Sequence, residues 1–258
     1  RGPADLGCLR AVAAEEVVEA AEGHQMRFAP SLPGNQFPLG LIRKGRWNRV
    51  PLVVGSCSCE GLKSRGRGML ASSNLSEEKF REQLLRHGFD EQRGSAVGLE
   101  LIEKWYRGRL REESRTQVLF RIFGDATYNC NAKLLADALQ QGADPARTGV
   151  WRYYVDVGVS KPGVHVSTSF HACADRWIFG EPGGSSDSWA ASLHVTMAHW
   201  WYSLAAFGDP NNFSTSSLHW PEYSAESPQT LIVDEVPWVG VTKDTRAREC
   251  AHWEPYLG

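Results

Sequence analysis

Glu60 and His171 are the two residues whose types and placement most invite chemistry. Glu60 closes the stretch Val50-Pro51-Leu52-Val53-Val54-Gly55-Ser56-Cys57-Ser58-Cys59-Glu60-Gly61, in which an apolar run breaks at a glycine and a carboxylate follows. His171 lies in Ser169-Phe170-His171-Ala172-Cys173-Ala174-Asp175-Arg176-Trp177-Ile178-Phe179-Gly180, read as a loop past a second strand-like run. Together they suit one task. An imidazole takes the proton of a hydroxyl nucleophile, while a buried carboxylate fixes its tautomer and stabilises the imidazolium. An acid followed downstream by a histidine is the tail of the chain order serine, acid, histidine. The bland alternatives are a solvated surface carboxylate and a satisfied loop histidine.

The elements that must position them can be read from apolar patterning. Continuous hydrophobicity before Gly55 predicts a strand buried on both faces of a parallel sheet. Val150-Trp151-Arg152-Tyr153-Tyr154-Val155-Asp156-Val157 predicts another, rich in aromatic and β-branched residues. In such sheets the working groups sit just past the carboxyl ends of strands, where Glu60 falls. Residues 10–22 and 131–141 read as helices. So does the segment opened by Ser76-Glu77-Glu78-Lys79, with an N-cap, acids in its first turn and a stop at Gly88. His87 reads as a cation at that helix end. Glu100 to Arg111 reads as amphipathic with a solvated acidic face. Ser192 to Phe207 is the longest amphipathic helix, with Met197, Trp200, Trp201, Leu204 and Ala205 offered to the core. His194 and His199 on it do not share a helical face as metal ligands would. Residues 230–234 and 238–241 read as closing strands and 245–256 as a closing helix.

The chain has 258 residues and a net charge of −2, which implies no nucleic-acid partner. The small basic cluster Arg43, Lys44, Arg46 and Arg49 reads as solvated surface. No apolar run reaches the roughly 18 residues of a membrane span. Six cysteines include no C-x-x-C pair, and Cys57-x-Cys59 is poor zinc spacing. Two N-glycosylation acceptors, Asn74-Leu75-Ser76 and Asn212-Phe213-Ser214, join the cysteines in favouring a secreted protein. The opening Arg1-Gly2-Pro3 is unlike a native translation start, which leads us to expect further sequence upstream or on another chain.

An ordered series of motifs resembles the type-B carboxylesterase/lipase family, which includes the cholinesterases. Cys8-Leu9-Arg10 and Phe28-x-Pro30 open it. Gly55 to Gly61 is similar to the family's Gly-x-x-x-Asp-Glu-Gly acid motif. Gly124-Asp125 with Cys130 is similar to its Asp-x-x-x-x-Cys element. His171 with Phe179-Gly180 has the spacing of its histidine motif. Met197-x-x-Trp200, Phe207-Gly208-Asp209-Pro210-Asn211, Trp220-Pro221 and Cys250-x-x-Trp253 complete the match over nearly the whole chain.

The resemblance implies an α/β-hydrolase fold, a mostly parallel sheet with helices on both faces. Residues 1–258 would be the C-terminal part of one such domain. It implies carboxylic ester hydrolysis through a Ser-Glu-His triad, with Glu60 and His171 from this chain and no metal or cofactor. The substrate would be a small ester. No G-x-S-x-G nucleophile elbow occurs here, so the serine is expected on an N-terminal half chain. The family's disulfides map onto Cys130 with Cys250, and onto Cys8 as a bridge to that partner. Cys57, Cys59 and Cys173 have no family counterparts, and their pairing stays open. The family's aspartate before the acid is Cys59, and its glycine after the histidine is Ala172. Its glutamate three past the histidine is Ala174, with Asp175 one place late. Leu62, Lys63 and Ser64 stand where cholinesterases carry aromatics, which argues against choline esters. Two other classes fit the same residues: a non-catalytic binding protein that keeps the fold, and a biosynthetic enzyme using the pocket for lactonisation or cyclisation.

Overall fold

A computed structural model describes residues 11–23, 38–60, 74–86, 89, 97–140, 148–157, 159–161, 164–166, 169, 171–180, 188–213, 216–234, 239–243 and 245–257. The chain divides into two compact units, residues 1–38 and 39–258. In the first, helix α1 (Ala14–Gly23) places Glu15 and Glu16 in its first turn, where acids favour the positive helix end. The second unit holds the sheet and the site.

Strands β1 (Leu52–Cys57), β2 (Val150–Val155), β5 (Gln229–Val233) and β6 (Val239–Lys243) form one sheet in that order. β1, β2 and β5 are parallel, and β6 returns antiparallel to β5. A separate hairpin of β3 (Val159–Lys161) and β4 (Val164–Val166) follows β2, an element absent from the sequence reading. Parallel pairing aligns Cys57 with Val155, so the segments leaving β1 and β2 emerge at the same end of the sheet. That end is where Glu60 lies.

Among the described residues, nine further α-helices pack around this sheet or beside it. α2 (Pro38–Arg43) precedes β1, and α3 (Glu77–Arg86), α4 (Leu99–Tyr106), α5 (Arg109–Glu112), α6 (Arg115–Gly124) and α7 (Cys130–Gln140) fill the crossover to β2. A π-helical turn, Asp125–Asn129, joins α6 to α7. α8 (Cys173–Phe179) and α9 (Ser188–Phe207) fill the crossover from β2 to β5. α10 (Ala247–Trp253) and a 3-10 turn, Glu254–Tyr256, come last. Local signals set several of these ends. Ser76 Oγ accepts from Lys79 N at 3.3 Å at the start of α3. At α6, Ser114 and Gln117 form a reciprocal capping box.

The alternation of side chains across β2 explains the two covered faces. Trp151 and Val155 point to one face, where they pack with Cys57, Leu231 and Val233 under α8 and α9. Val150 points to the other, against Ala136 and Leu139 of α7 and Tyr223. On α9 the buried residues Ala190, Leu193, Met197 and Trp200 recur at helical spacing. Ala205, expected in the core, is exposed. Ser203 is buried instead, because its Oγ donates to Asp209 O at 2.6 Å and accepts from Phe213 N at 2.9 Å. That pair of bonds shapes the turn after the helix.

A third core lies among α3, α4, α6 and α10, with Phe80, Leu84, Ile102, Leu119, Ile122 and Trp253 at its centre. A disulfide joins Cys130 and Cys250 there, 120 residues apart in sequence. Closing so long a loop is worth about 4–5 kcal/mol on the chain-entropy model. Beside it, Asp125 is fully buried and holds Arg246 through both oxygens, Tyr106 Oη at 2.6 Å and Asn129 Nδ2 at 2.8 Å. Trp253 Nε1 donates to Tyr106 Oη at 2.9 Å and extends the network.

β1 departs from the sequence expectation. Leu52, Val53, Val54 and Gly55 are only partly buried, because among the described residues β1 has a strand neighbour on one side alone. It is an edge of this sheet among the described residues, with Val53 packed against one covered face and Leu52 and Val54 against the other. No helix of the described residues is long and apolar enough to cross a membrane.

Candidate active site

The site begins where β1 ends. Cys57 is the last residue of the strand, and the chain turns sharply so that its own backbone N–H donates to Glu60 Oε1 at 2.7 Å. This bond occupies Oε1 and leaves the second oxygen, Oε2, for another partner. Gly124, at the end of α6, passes close beneath, and a side chain there would meet Glu60 N at 3.2 Å. The helix end therefore packs against the backbone and Cβ of Glu60, while the turn holds its carboxylate.

His171 reaches the same place from the other side of the sequence. It sits in a short turn after the β3–β4 hairpin, immediately before α8. The sequence predicts a loop here, but Cys173–Phe179 is helical, anchored by the apolar side chains of Trp177 and Ile178 in the core formed with α9 and β2. Ala172 makes the turn with φ 60° and ψ 24°, the left-handed conformation that favours glycine. The family pattern has glycine at this position, and the backbone shows why.

Across 111 residues of sequence, Glu60 Oε2 and His171 Nδ1 come to 2.7 Å. Ala172 N also donates to Oε2, at 3.4 Å. The Glu60 side chain is 8% exposed and that of His171 35%. A buried acceptor facing Nδ1 favours the tautomer that carries its proton there. Nε2, on the far side of the ring, is then the nitrogen that keeps a lone pair. Such an imidazole is oriented for use as a general base at Nε2.

The surroundings reinforce the arrangement. The Tyr128 ring, from the π-helical turn, lies against the His171 ring with centroids 5.1 Å apart. Tyr153 is pushed up to about 12 by burial, with the charges of Glu60 and Asp175 adding to the effect. Ser169 Oγ donates to Val155 O at 2.7 Å, accepts from Ser58 N at 3.0 Å and meets Ser58 Oγ at 3.0 Å. Asp156 has its carboxyl raised by burial, against which a hydrogen bond from Ser58 works. A second disulfide, Cys57–Cys173, ties the last residue of β1 to the first residue of α8. Cys59 is buried and belongs to neither disulfide.

The residues singled out in the sequence thus separate into three groups. Glu60 and His171 are brought together. Cys130 and Cys250 are bonded in the helical core. Asn74 and Asn212 are exposed, and Asn74 Oδ1 accepts from Arg115 N at 2.8 Å. Cys8, His87 and the Phe28-x-Pro30 motif lie outside the described residues. His194 bonds the Trp177 carbonyl at 3.0 Å and His199 stacks edge-on with Phe213, so both have packing roles. Tyr128, Ser58 and Ser169 were not singled out for roles in the site. Tyr128 had a signal, since it falls within the Asp125-x-x-x-x-Cys130 element. The serine pair had none, because nothing in either segment alone marks a bond across the sheet end.

The family model described as "Carboxylesterase family" matches residues 4–253. This chain belongs to the carboxylesterase family. It is 22% identical to an acetylcholinesterase of Bungarus fasciatus over 276 aligned residues, covering 98% of this chain and 44% of that protein. Its fold is that of a carboxylesterase of Geobacillus stearothermophilus, with a TM-score of 0.70, 21% identity, and coverage of 97% of this chain and 51% of the other. A PNB esterase gives a TM-score of 0.65 at 21% identity, over 96% of this chain and 50% of that one. These neighbours are α/β-hydrolases, and the mixed sheet with helices on both faces is of that class. The chain spans about half the length of these relatives.

Proposed function

We propose that the protein to which this chain contributes hydrolyses carboxylic esters through a Ser-Glu-His triad. The observation that carries the reading is the 2.7 Å contact between a buried Glu60 Oε2 and a half-buried His171 Nδ1. In this mechanism His171 Nε2 accepts the serine proton as the serine oxygen attacks the ester carbonyl. The imidazolium then gives the proton to the departing alkoxide. Water repeats the sequence on the acyl-serine, with His171 again base and then acid. Glu60 holds the proton on Nδ1 throughout and offsets the charge on the ring.

The serine and the oxyanion donors come from an N-terminal half, which we assign to a partner chain of the same hydrolase. Two observations favour such a partner. No G-x-S-x-G pattern occurs in the 258 residues. The half-exposed apolar edge of β1 also leaves a row of backbone donors and acceptors without a strand neighbour among the described residues. A bridge from Cys8 would secure the join. Residues 1–258 then act as the C-terminal part of a single hydrolase domain. Two disulfides fit an oxidising compartment, and with Asn74 and Asn212 as glycosylation acceptors they support a secreted two-chain glycoprotein.

Labelling with a fluorophosphonate, followed by kinetics on short-chain aryl esters, tests the reading in the complete protein. We expect labelling of one serine, and a loss in kcat of about 10³ or more for His171→Ala. Labelling without ester turnover would point to lactonisation or cyclisation in the same pocket. No labelling would leave a binding protein that keeps the fold without chemistry.

A further inference from the structure

We propose that the Cys57–Cys173 disulfide is a positioning device for the Glu60–His171 pair, one specific to a histidine turn built without glycine. Only its activity readout rests on the ester-hydrolase reading. The two cysteines sit at the two roots of the site. Cys57 ends β1, lies three residues before Glu60, and donates its backbone N–H to Glu60 Oε1 at 2.7 Å. Cys173 starts α8 and lies two residues after His171. Both are buried, each 1% exposed, with Cα atoms 6.4 Å apart.

The resulting path is closed. It runs from Cys57 through its own N–H to the Glu60 carboxylate, on to His171 Nδ1, through Ala172 to Cys173, and back to Cys57 through sulfur. The carboxylate grips the turn twice, at His171 Nδ1 and at Ala172 N. The disulfide grips it one residue further on. Ser58 and Ser169 add a second link between the same two segments, two residues before the histidine.

Ala172 supplies the reason such a clamp is needed. A residue with a Cβ is held in the left-handed region only where its surroundings over-determine it. Glycine would adopt φ 60° without penalty. Alanine in an unrestrained turn tends toward negative φ, which would rotate His171 relative to the carboxylate. With Cys173 fixed to the last residue of β1 after the turn, and Ser169 bonded to Ser58 and to Val155 O of β2 before it, that relaxation is blocked. The disulfide thus supplies in covalent form the conformational preference that glycine gives elsewhere. Cys57 and Cys173 act through the histidine turn and touch no reacting atom.

The test uses the complete protein and Cys57→Ala/Cys173→Ala, with Cys57→Ala/Cys173→Val to refill the lost volume should the first fail to fold. Leu84→Ala, in the separate helical core, serves as a control for loss of stability alone. Two signals are read. One is the low-field proton resonance of the His171 Nδ1–H bonded to carboxylate. The other is kcat and KM on a short-chain aryl ester. We expect the disulfide variants to lose or broaden the resonance, and kcat to fall about ten- to a hundredfold with KM within about threefold. Leu84→Ala should lower Tm while keeping both signals. Adding Ala172→Gly to the disulfide variants should restore much of both. A disulfide-free protein with an unchanged resonance and kcat would overturn the proposal. If the parent protein turns over no ester, the resonance alone decides, so the failure of one reading is not mistaken for the failure of the other.

Discussion

Replacing Glu60 by glutamine changes one oxygen to an NH₂ group and leaves the shape of the side chain intact. The consequence follows from its two oxygens. Oε1 accepts from Cys57 N at 2.7 Å, and Oε2 faces His171 Nδ1 at 2.7 Å and Ala172 N at 3.4 Å. The buried Cys57 N–H needs an acceptor, and leaving it without one costs about 1–3 kcal/mol. The glutamine oxygen therefore stays at Oε1, and its amide nitrogen takes the place of Oε2. That nitrogen is a donor, so Nδ1 must accept, and the ring proton moves to Nε2. A base protonated on Nε2 cannot take the proton of a serine. To react, the ring must adopt the tautomer in which two donors face each other, and the imidazolium has lost its buried counter-charge. The same exchange of acid for amide in a serine-protease triad costs about 10⁴ in kcat. For this site we expect a loss of about 10³–10⁴, or about 4–5.5 kcal/mol of transition-state stabilisation. KM should change little, since Glu60 is 8% exposed and stands behind the ring. The assay is kcat and KM on short-chain aryl esters in the complete protein, with fluorophosphonate labelling rates as a parallel measure. A loss below about tenfold would refute the tautomer argument and the assignment of Glu60 with it.

Asp125→Asn should lower stability by about 3–5 kcal/mol, because it leaves the Arg246 guanidinium buried against a neutral amide; a Tm shift under about 4 °C would contradict this. Alkaline pH should destabilise the fold. Tyr153 is pushed up to about 12, chiefly by burial, and Tyr106 and Tyr154 are raised too, again with burial first. The folded state holds these phenol protons more tightly than the unfolded chain, so stability is full below about pH 10 and falls as pH rises through about 12. For Tyr153 alone the loss between about pH 9 and about pH 11.5 is about 2 kcal/mol, measured as a drop in urea midpoint that Tyr153→Phe reduces. Ala172→Gly in the otherwise intact protein should leave Tm level or raise it, since about 1–2 kcal/mol of left-handed strain is relieved against about 0.4–1 kcal/mol of added chain entropy. A marked fall in Tm would mean that the alanine methyl makes a contact that outweighs its strain.

Local patterning made the four strands of the main sheet and the longer helices of residues 39–258 legible, but not the β3–β4 hairpin. The apolar runs before Gly55 and around Tyr154 are strands, and Ser76 with Glu77 and Glu78 marks the start of α3. What patterning could not supply was the position of each element in the sheet. β1 looks buried on both faces as a string of residues, yet its burial depends on which neighbours it has. Helix α8 was missed because its seven residues give too few turns for a periodic signal, and it is held by packing of Trp177 and Ile178 instead. At the site, the order of acid and histidine was readable because it follows the carboxyl ends of successive strands. The partner of Cys57 was not, since cysteine pairing is a property of distance in the fold. Its proximity to Cys173 arises only once β1 and β2 pair in register and the turn at Ala172 points α8 back at the strand end.

The two disulfides overlap instead of nesting. One spans residues 57–173 and the other residues 130–250. A protease that cuts the backbone once anywhere between residues 57 and 250 therefore frees nothing. Two cuts on different sides of Cys130 or Cys173 also leave one covalent molecule, because each piece still carries a bonded cysteine. Two cuts within the same stretch, 57–130, 130–173 or 173–250, release a fragment, and one cut in each of the three divides the molecule in two. Where reductants are scarce, such a molecule can take one cut in each of two stretches and keep its mass. On a denaturing gel it would run as one band until a thiol is added, when its history of cuts would appear all at once.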